Sequence, residues 1–240
     1  MKLHQLLTIV IPCKNEGKII DTTLNLLNQQ ENIDYVKVIV CDSSDDKITK
    51  NLLKNRVNDK FNLVVANGGL PSVARNIGFG FCDTPYVLFM DADVFILDYD
   101  LLVKSVSNII NEKLELVTCK FRSTTGEYNN VFRIFDTIQQ ISKPLTPFAL
   151  GGFMLLDSKK FIEIGKFNEK VKVAEDYLLS KKIGSYKFKV YNSTVFTTPR
   201  RFKSKGLYYM LKLMINSIIH RDNEDYFEND KNYWKWSGEQ

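Results

Sequence analysis

Two acidic pairs carry the chemistry that can be read from this chain. Asp91 and Asp93, one residue apart, end the apolar run Tyr86-Val87-Leu88-Phe89-Met90. A run that is apolar on both faces reads as a central strand of a parallel sheet, and in open α/β sheets ligands bind at the carboxyl ends of strands. Two carboxylates there suit a hard divalent cation or a reacting group. The second pair, Glu175-Asp176, opens a short predicted helix over Tyr177 to Ser180, where the helix dipole favours negative charge. Arg75 offers a forked donor matched to phosphate, and the glycines of Gly151-Gly152-Phe153 let a ligand or backbone approach closely. The structural alternatives are an acidic turn for the first pair and helix capping for the second.

The elements that must hold these residues alternate. Leu7 to Pro12 is a β-branched run stopped by proline. Asn15 is placed to cap a helix with Ile19, Ile20, Leu24 and Leu27 on one face, and Tyr35 to Cys41 returns as a strand ending in Asp42. A helix over Ile48 to Val57, a strand over Asn62 to Ala66 and a helix opened by Ser72 and carrying Arg75 then precede the strand at Tyr86. Beyond it the pattern predicts a helix after Asp98, a strand at Leu116 to Phe121, a helix over Val131 to Ile141 covering the site face, a strand within Ala149 to Leu156 and a short helix from Ser158. Lys187 to Tyr191 alternates like an exposed edge strand, Thr197 to Lys203 reads as a basic loop, and Leu207 to Ile219 is an amphipathic helix, most simply a core-packing one. The alternation predicts a mostly parallel sheet with helices on both faces.

Composition narrows the class. With 240 residues, 44% apolar and 25% charged, the chain can bury one sizeable core. No stretch reads as a signal peptide or a transmembrane helix, so a cytoplasmic protein is expected, peripheral at the inner membrane face if its basic helix docks there. Cys13, Cys41, Cys82 and Cys119 lack metal-site or disulfide spacing. The net charge of +5 is local: Lys181 to Arg221 holds ten Lys or Arg and no acid, leaving 23 basic against 28 acidic residues elsewhere. That segment, also aromatic, suits phosphate or an anionic membrane surface. Nucleic acid is not an expected partner. Tyr233, Trp234 and Trp236 mark the polar tail as either frayed or an aromatic clasp.

Six segments in register, Thr8 to Glu16, Val38 to Ser44, Ala74 to Gly78, Phe89 to Asp93, Gly151 to Phe153 and Glu175-Asp176, resemble the family 2 glycosyltransferases over about Leu7 to Arg201. The resemblance implies a GT-A fold with a Rossmann-like nucleotide-sugar-binding sheet: residues 1–97 for the nucleotide, 98–205 for the acceptor, and 206–240 as an amphipathic helix and polar tail. It implies transfer with inversion from a UDP- or GDP-sugar to an acceptor hydroxyl on a glycan or a polyprenyl-linked sugar. By the same resemblance Pro12, Asn15, Glu16 and Asp42 meet the base and ribose, Arg75 lies near the phosphates and Asp91 near the ribose. Asp93 would hold Mg²⁺ or Mn²⁺, with His220 as a further candidate ligand, and Asp176 would be the base. Gly151, Gly152 and Glu175 join the substrate site, and Arg200, after a Thr-Pro, resembles a diphosphate contact of some bacterial members.

Two other readings compete. Met90 to Val94 also looks like the nucleophile motif of haloacid-dehalogenase phosphatases, although three strand signals precede it here. A catalytically silent nucleotide-sugar binder is the other. Processive polymer synthesis is disfavoured, because the transmembrane helices and the Gln-X-X-Arg-Trp motif of such synthases are missing from this sequence. Gly78-Phe79-Gly80 does not extend to a dinucleotide fingerprint, which argues against NAD chemistry.

Overall fold

The computed structural model describes residues 1–230; the aromatic residues Tyr233, Trp234 and Trp236 lie outside the described residues. The β-branched run builds β1 (Leu7–Cys13), followed by α1 (Lys18–Leu27), β2 (Lys37–Asp42), α2 (Lys47–Lys54), β3 (Asn62–Asn67), α3 (Pro71–Phe79) and β4 (Tyr86–Met90). These strands pair in parallel as β3-β2-β1-β4. The chain continues through β5 (Val94–Phe95), α4 (Leu101–Asn111), β6 (Leu116–Ser123), α5 (Asn129–Ser142), β7 (Phe153–Asp157), α6 (Ser158–Glu163), α7 (Glu175–Ser180), β8 (Phe188–Thr197), α8 (Arg200–Lys205) and α9 (Leu207–Ile219). The eight-stranded sheet is completed as β4-β7-β6-β8-β5, with β7 antiparallel to both neighbours and β5 antiparallel to β8. The β3-β2-β1-β4 half is therefore parallel and the whole sheet mixed.

Alternation along the central strands feeds two cores. Ile9, Ile11, Val38, Val40, Leu88 and Met90 face one, and Val10, Ile39, Cys41, Val87 and Phe89 face the other. In the second core Phe89 packs against Phe161 and Phe167 with ring centres 4.9 and 5.1 Å apart. Gly78 lets α3 lie directly on β1, since a Cβ there would stand 2.3 Å from Val10 Cγ1. Arg75, one turn earlier on α3, is thereby brought beside the end of β4.

Several local expectations change, each for a physical reason. Pro12 does not stop β1, which pairs through it to β2; on the other side β4 meets β1 only up to Val10, so no ladder partner there needs a Pro12 N–H. Asn15 does not cap α1, because Gly17 occupies that position with φ of +48°. Ser72 lies inside α3, with Pro71 in its first turn and its hydroxyl donating to the Val171 carbonyl at 3.3 Å. Asp100, not Asp98, precedes α4. The 149–156 strand begins only at Phe153, after a Gly151-Gly152 turn. The Lys187 strand runs on to Thr197 with β6 alongside, and the basic loop behind it is helical from Arg200. Cys13, Cys41 and Cys119 are buried free thiols; Cys82 is half-buried and also free. Among the described residues no helix is long and apolar enough to cross a membrane.

Candidate active site

The Asp91-Ala92-Asp93 turn is fixed from three sides. Thr23 of α1 donates to the Ala92 carbonyl at 2.6 Å, and the Asp91 amide donates to the Gly152 carbonyl at 3.2 Å. Pairing of Val94 with Thr197 then delivers the segment after β8 to Asp93. Asp93 Oδ2 accepts from Thr198 Oγ1 at 2.6 Å and from Arg200 Nη2 at 3.2 Å. The same Arg200 nitrogen donates to Glu16 Oε2 at 2.6 Å, and its Nε to Thr198 Oγ1 at 3.0 Å. Burial, opposed by Arg200 and reinforced by the Asp93 charge, pushes the Glu16 carboxyl up to about 7.

Arg75 joins the two acidic pairs from beneath. It is 2% exposed, with Nη2 at 2.7 Å from Asp91 Oδ1 and Nη1 at 2.5 Å from Glu175 Oε1. Nη2 also donates to the Gly151 carbonyl at 3.3 Å, and the guanidinium lies 5.4 Å from the centre of the Phe167 ring. Burial raises the Asp91 carboxyl above the ordinary range, and Arg75 holds it back.

Asp176 is set by backbone. Ala174 takes the left-handed conformation, φ +57°, immediately before α7, and this turns Glu175 and Asp176 towards the sheet. Asp176 Oδ2 accepts the Gly151 amide at 2.6 Å, and Oδ1 accepts the Tyr177 amide at 2.8 Å. Burial first, and the adjacent Glu175 charge second, push its carboxyl up to about 7 against the pull of Arg75 and the two amides. A carboxylate so placed can take a proton near neutral pH.

These groups open into one cavity of about 1470 Å³. Pro12, Asn15, Glu16, Arg75, Asp91, Asp93, Gly151, Gly152, Glu175, Asp176 and Arg200 all line it. Asp42 and His220 are not among its lining residues. Asp42 instead accepts the Ser44 amide at 3.0 Å, and the His220 ring stacks on Tyr226 with centres 4.0 Å apart. Asn15, φ +55°, acts through its loop: its Oδ1 accepts the Asp45 and Asp46 amides at 2.8 and 3.2 Å, tying the β1 and β2 loops together.

The opposite wall is apolar, built by Phe132, Phe135 and Ile138 of α5 and by Met210, Leu213 and Met214 of α9. The predicted cover over Val131 to Ile141 is thus present, and Phe202 anchors it by stacking on Tyr128 and meeting Phe132 edge-on. α9 is not a core helix: Ser217 is its one buried residue among those described, and it serves as a cavity wall. The cover helix is legible in the sequence; the facing of α9 to the cavity and the contact of Thr198 with Asp93 are not. Thr198 was within the basic segment already singled out, two residues before Arg200.

Residues 8–165 match the family described as Glycosyl transferase family 2. The chain belongs to that family. The haloacid-dehalogenase reading falls with this match, and Asp91 follows the fourth strand, tied to Arg75, rather than the first. Among solved structures, S. aureus TarS superposes with a TM-score of 0.62 at 22% identity, covering 95% of this chain and 41% of that one. TarS 1-349 in complex with UDP-GlcNAc gives 0.61 at 21% identity, over 95% of this chain and 69% of that one. The mannosyltransferase PcManGT from Pyrobaculum calidifontis, in complex with GDP-Man and Mn²⁺, gives 0.64 at 18%, over 88% of this chain and 64% of that one. These similarities show the GT-A fold, and this chain spans less than half of the full TarS chain. Among curated proteins nothing matches.

A divalent cation fits the donor set in one way only. No three His, Cys, Asp or Glu residues among those described converge on a metal position. Asp93 would supply one hard oxygen, and the other ligands must come from a diphosphate and water. Few protein carboxylates plus substrate phosphates is the usual arrangement for Mg²⁺.

Proposed function

We propose that this family 2 glycosyltransferase moves a sugar from a UDP- or GDP-sugar to an acceptor hydroxyl, with inversion at the anomeric carbon. The observation that carries the reading is one cavity with Asp93 and Arg200 on one side and Asp176, held by the Gly151 amide, on the other. That Mn²⁺ accompanies GDP-Man in PcManGT supports a metal-assisted donor site. A bound cation at Asp93 supplies Lewis-acid neutralisation of the leaving diphosphate. Asp176 takes the acceptor proton as the acceptor oxygen bonds to the anomeric carbon. The bond from that carbon to the phosphate oxygen breaks, and its electron pair leaves with the nucleoside diphosphate. Arg200 contacts the diphosphate, while the β1 and β2 loops, with Pro12, Asn15 and Glu16, receive the nucleoside. Arg75 positions Asp91 and Glu175 and does not itself reach phosphate, because its guanidinium is buried and already paired.

The apolar wall favours an acceptor with an apolar part, such as a polyprenyl-linked sugar, over a free glycan. Exposed Tyr208, Ile215 and Ile219 on α9, with Lys203, Lys205 and Lys212 nearby in sequence, suit docking at an anionic membrane. The test is a thermal-shift panel of UDP- and GDP-sugars with and without Mn²⁺. Wild-type protein should be stabilised by one nucleotide class in a Mn²⁺-dependent way, and Asp93→Ala should lose the Mn²⁺ increment. No stabilisation by any nucleotide sugar would overturn the donor assignment. Flotation with anionic liposomes at low salt, lost in a Lys203, Lys205 and Lys212 triple alanine variant, tests the membrane arm.

A further inference from the structure

Arg200 stands where a positive charge is wanted, between two acids at the mouth of the donor site. One guanidinium nitrogen is shared by Glu16 Oε2 at 2.6 Å and Asp93 Oδ2 at 3.2 Å. Thr198 reinforces the arrangement by donating to Asp93 Oδ2 while its oxygen accepts from Arg200 Nε. The Asp93 oxygen proposed for the metal is therefore already engaged by a cation and a hydroxyl. A divalent ion approaching that oxygen meets a like charge at hydrogen-bond distance, in a half-buried place where screening is weak. Arg200 belongs to α8, a two-turn helix next to the cavity, and its side chain is 34% exposed. A diphosphate in the cavity offers it a matched bidentate partner.

We infer that Arg200 is a built-in counter-cation that keeps Asp93 from taking a divalent metal until a nucleoside diphosphate arrives to accept the guanidinium. This rests on the donor and metal reading given above. In that arrangement metal and diphosphate load together: the diphosphate brings oxygen ligands for the ion and draws Arg200 off Asp93 in the same event. Metal alone has to pay for displacing the guanidinium with nothing in return. The arrangement also gives Asp93 and Glu16 one shared cation while the site is empty.

The experiment is titration of Mn²⁺ into the protein, followed by the electron paramagnetic resonance signal of free Mn²⁺, with and without UDP or GDP. Wild type should bind Mn²⁺ poorly alone and about tenfold or more tightly with its nucleotide. Arg200→Met should bind Mn²⁺ alone about tenfold more tightly than wild type, the size expected when a like charge a few ångströms away is removed. Its further gain from nucleotide should shrink. Arg201→Met, which removes one charge from the next position of the same helix, should change Mn²⁺ binding about threefold or less. Circular dichroism on each variant confirms folding, and Arg200→Lys, which keeps the charge but loses the fork, should fall between wild type and Arg200→Met. Unchanged Mn²⁺ affinity in a folded Arg200→Met, with wild type still binding Mn²⁺ plus nucleotide, overturns the counter-cation role alone. An equal gain in Arg201→Met overturns it too, by reducing it to net charge. No Mn²⁺ binding by wild type with either nucleotide overturns both this inference and the metal reading beneath it.

Discussion

The Gly151 amide donates to Asp176 Oδ2 at 2.6 Å across 25 residues of sequence, linking the turn before β7 to the first turn of α7. A Cβ at Gly151 would stand 3.0 Å from Arg75 Nη2 and 3.1 Å from Asp176 Oδ2. The glycine is therefore what lets the buried arginine, the turn and the proposed base share one small space. Asp176 is positioned by backbone on both of its oxygens, and its rotamer does not depend on a flexible neighbour.

Asp176→Asn should keep nucleotide-sugar binding in a thermal-shift assay and lose transfer by about 10²- to 10⁴-fold, the usual worth of a positioned general base. Gly151→Ala should also lose transfer through displacement of Asp176, while donor KM changes less. Wild-type kcat in Asp176→Asn would remove it from the reaction.

The pH profile follows from the raised carboxyl. Asp176 must be unprotonated to accept the acceptor proton, so kcat should fall as pH drops through about 7. Glu175→Gln removes the second cause of the shift, so the acid limb should move to lower pH. It should stay above the ordinary aspartate range, because burial, the larger cause, remains. A limb that does not move would remove Glu175 as a cause of the Asp176 shift.

Arg75→Met should destabilise the fold by about 3 to 5 kcal/mol, because it strands Asp91 and Glu175 without their shared cation. Urea denaturation gives the value. A loss below about 0.5 kcal/mol would class the cluster with surface ion pairs.

Glu16 gives a pH-dependent stability term. Its folded-state value is raised to about 7 from 4.5, so the folded state favours the protonated carboxyl. The contribution is complete below 4.5 and is lost as pH rises through about 7. The Tm of Glu16→Gln relative to wild type should therefore rise between pH 5 and pH 8. A difference independent of pH would show that Glu16 is not the group responsible.

Much of this was legible in the residues, and the failures share a cause. The strands at Leu7, Tyr35 and Tyr86 declared themselves because both of their faces are buried, the half-exposed edge strand at Asn62 by its β-branched run, and the acids after Met90 followed from where buried strands end. The antiparallel run of β7 left no trace in composition, since a central strand is apolar in either direction. Asn15 and Ser72 looked like helix caps because their types suit capping, but tertiary partners, the Asp45 amide and the Val171 carbonyl, claimed them. The family resemblance and the forked-donor chemistry of Arg75 together suggest a place near the phosphates. Only the closeness of α3 to β1, allowed by Gly78, shows it buried beneath the acids. Arg200 lines the same cavity as Asp93, but its hold on Glu16, 184 residues away, could come only from the fold.

The two walls of the cavity come from unlike sources: the acids stand at strand ends and a helix start, and the apolar side is contributed by the faces of α5 and α9. Side chains such as Phe135, Ile138, Leu213 and Met214 do not touch the hydrogen bonds that fix Asp93 or Asp176. If this wall receives the acceptor as proposed, acceptor preference can drift by exchange of one helix face while the proposed reacting groups stay in register. For laboratory evolution, randomising those four positions offers a route to new acceptors that leaves the chemical step intact.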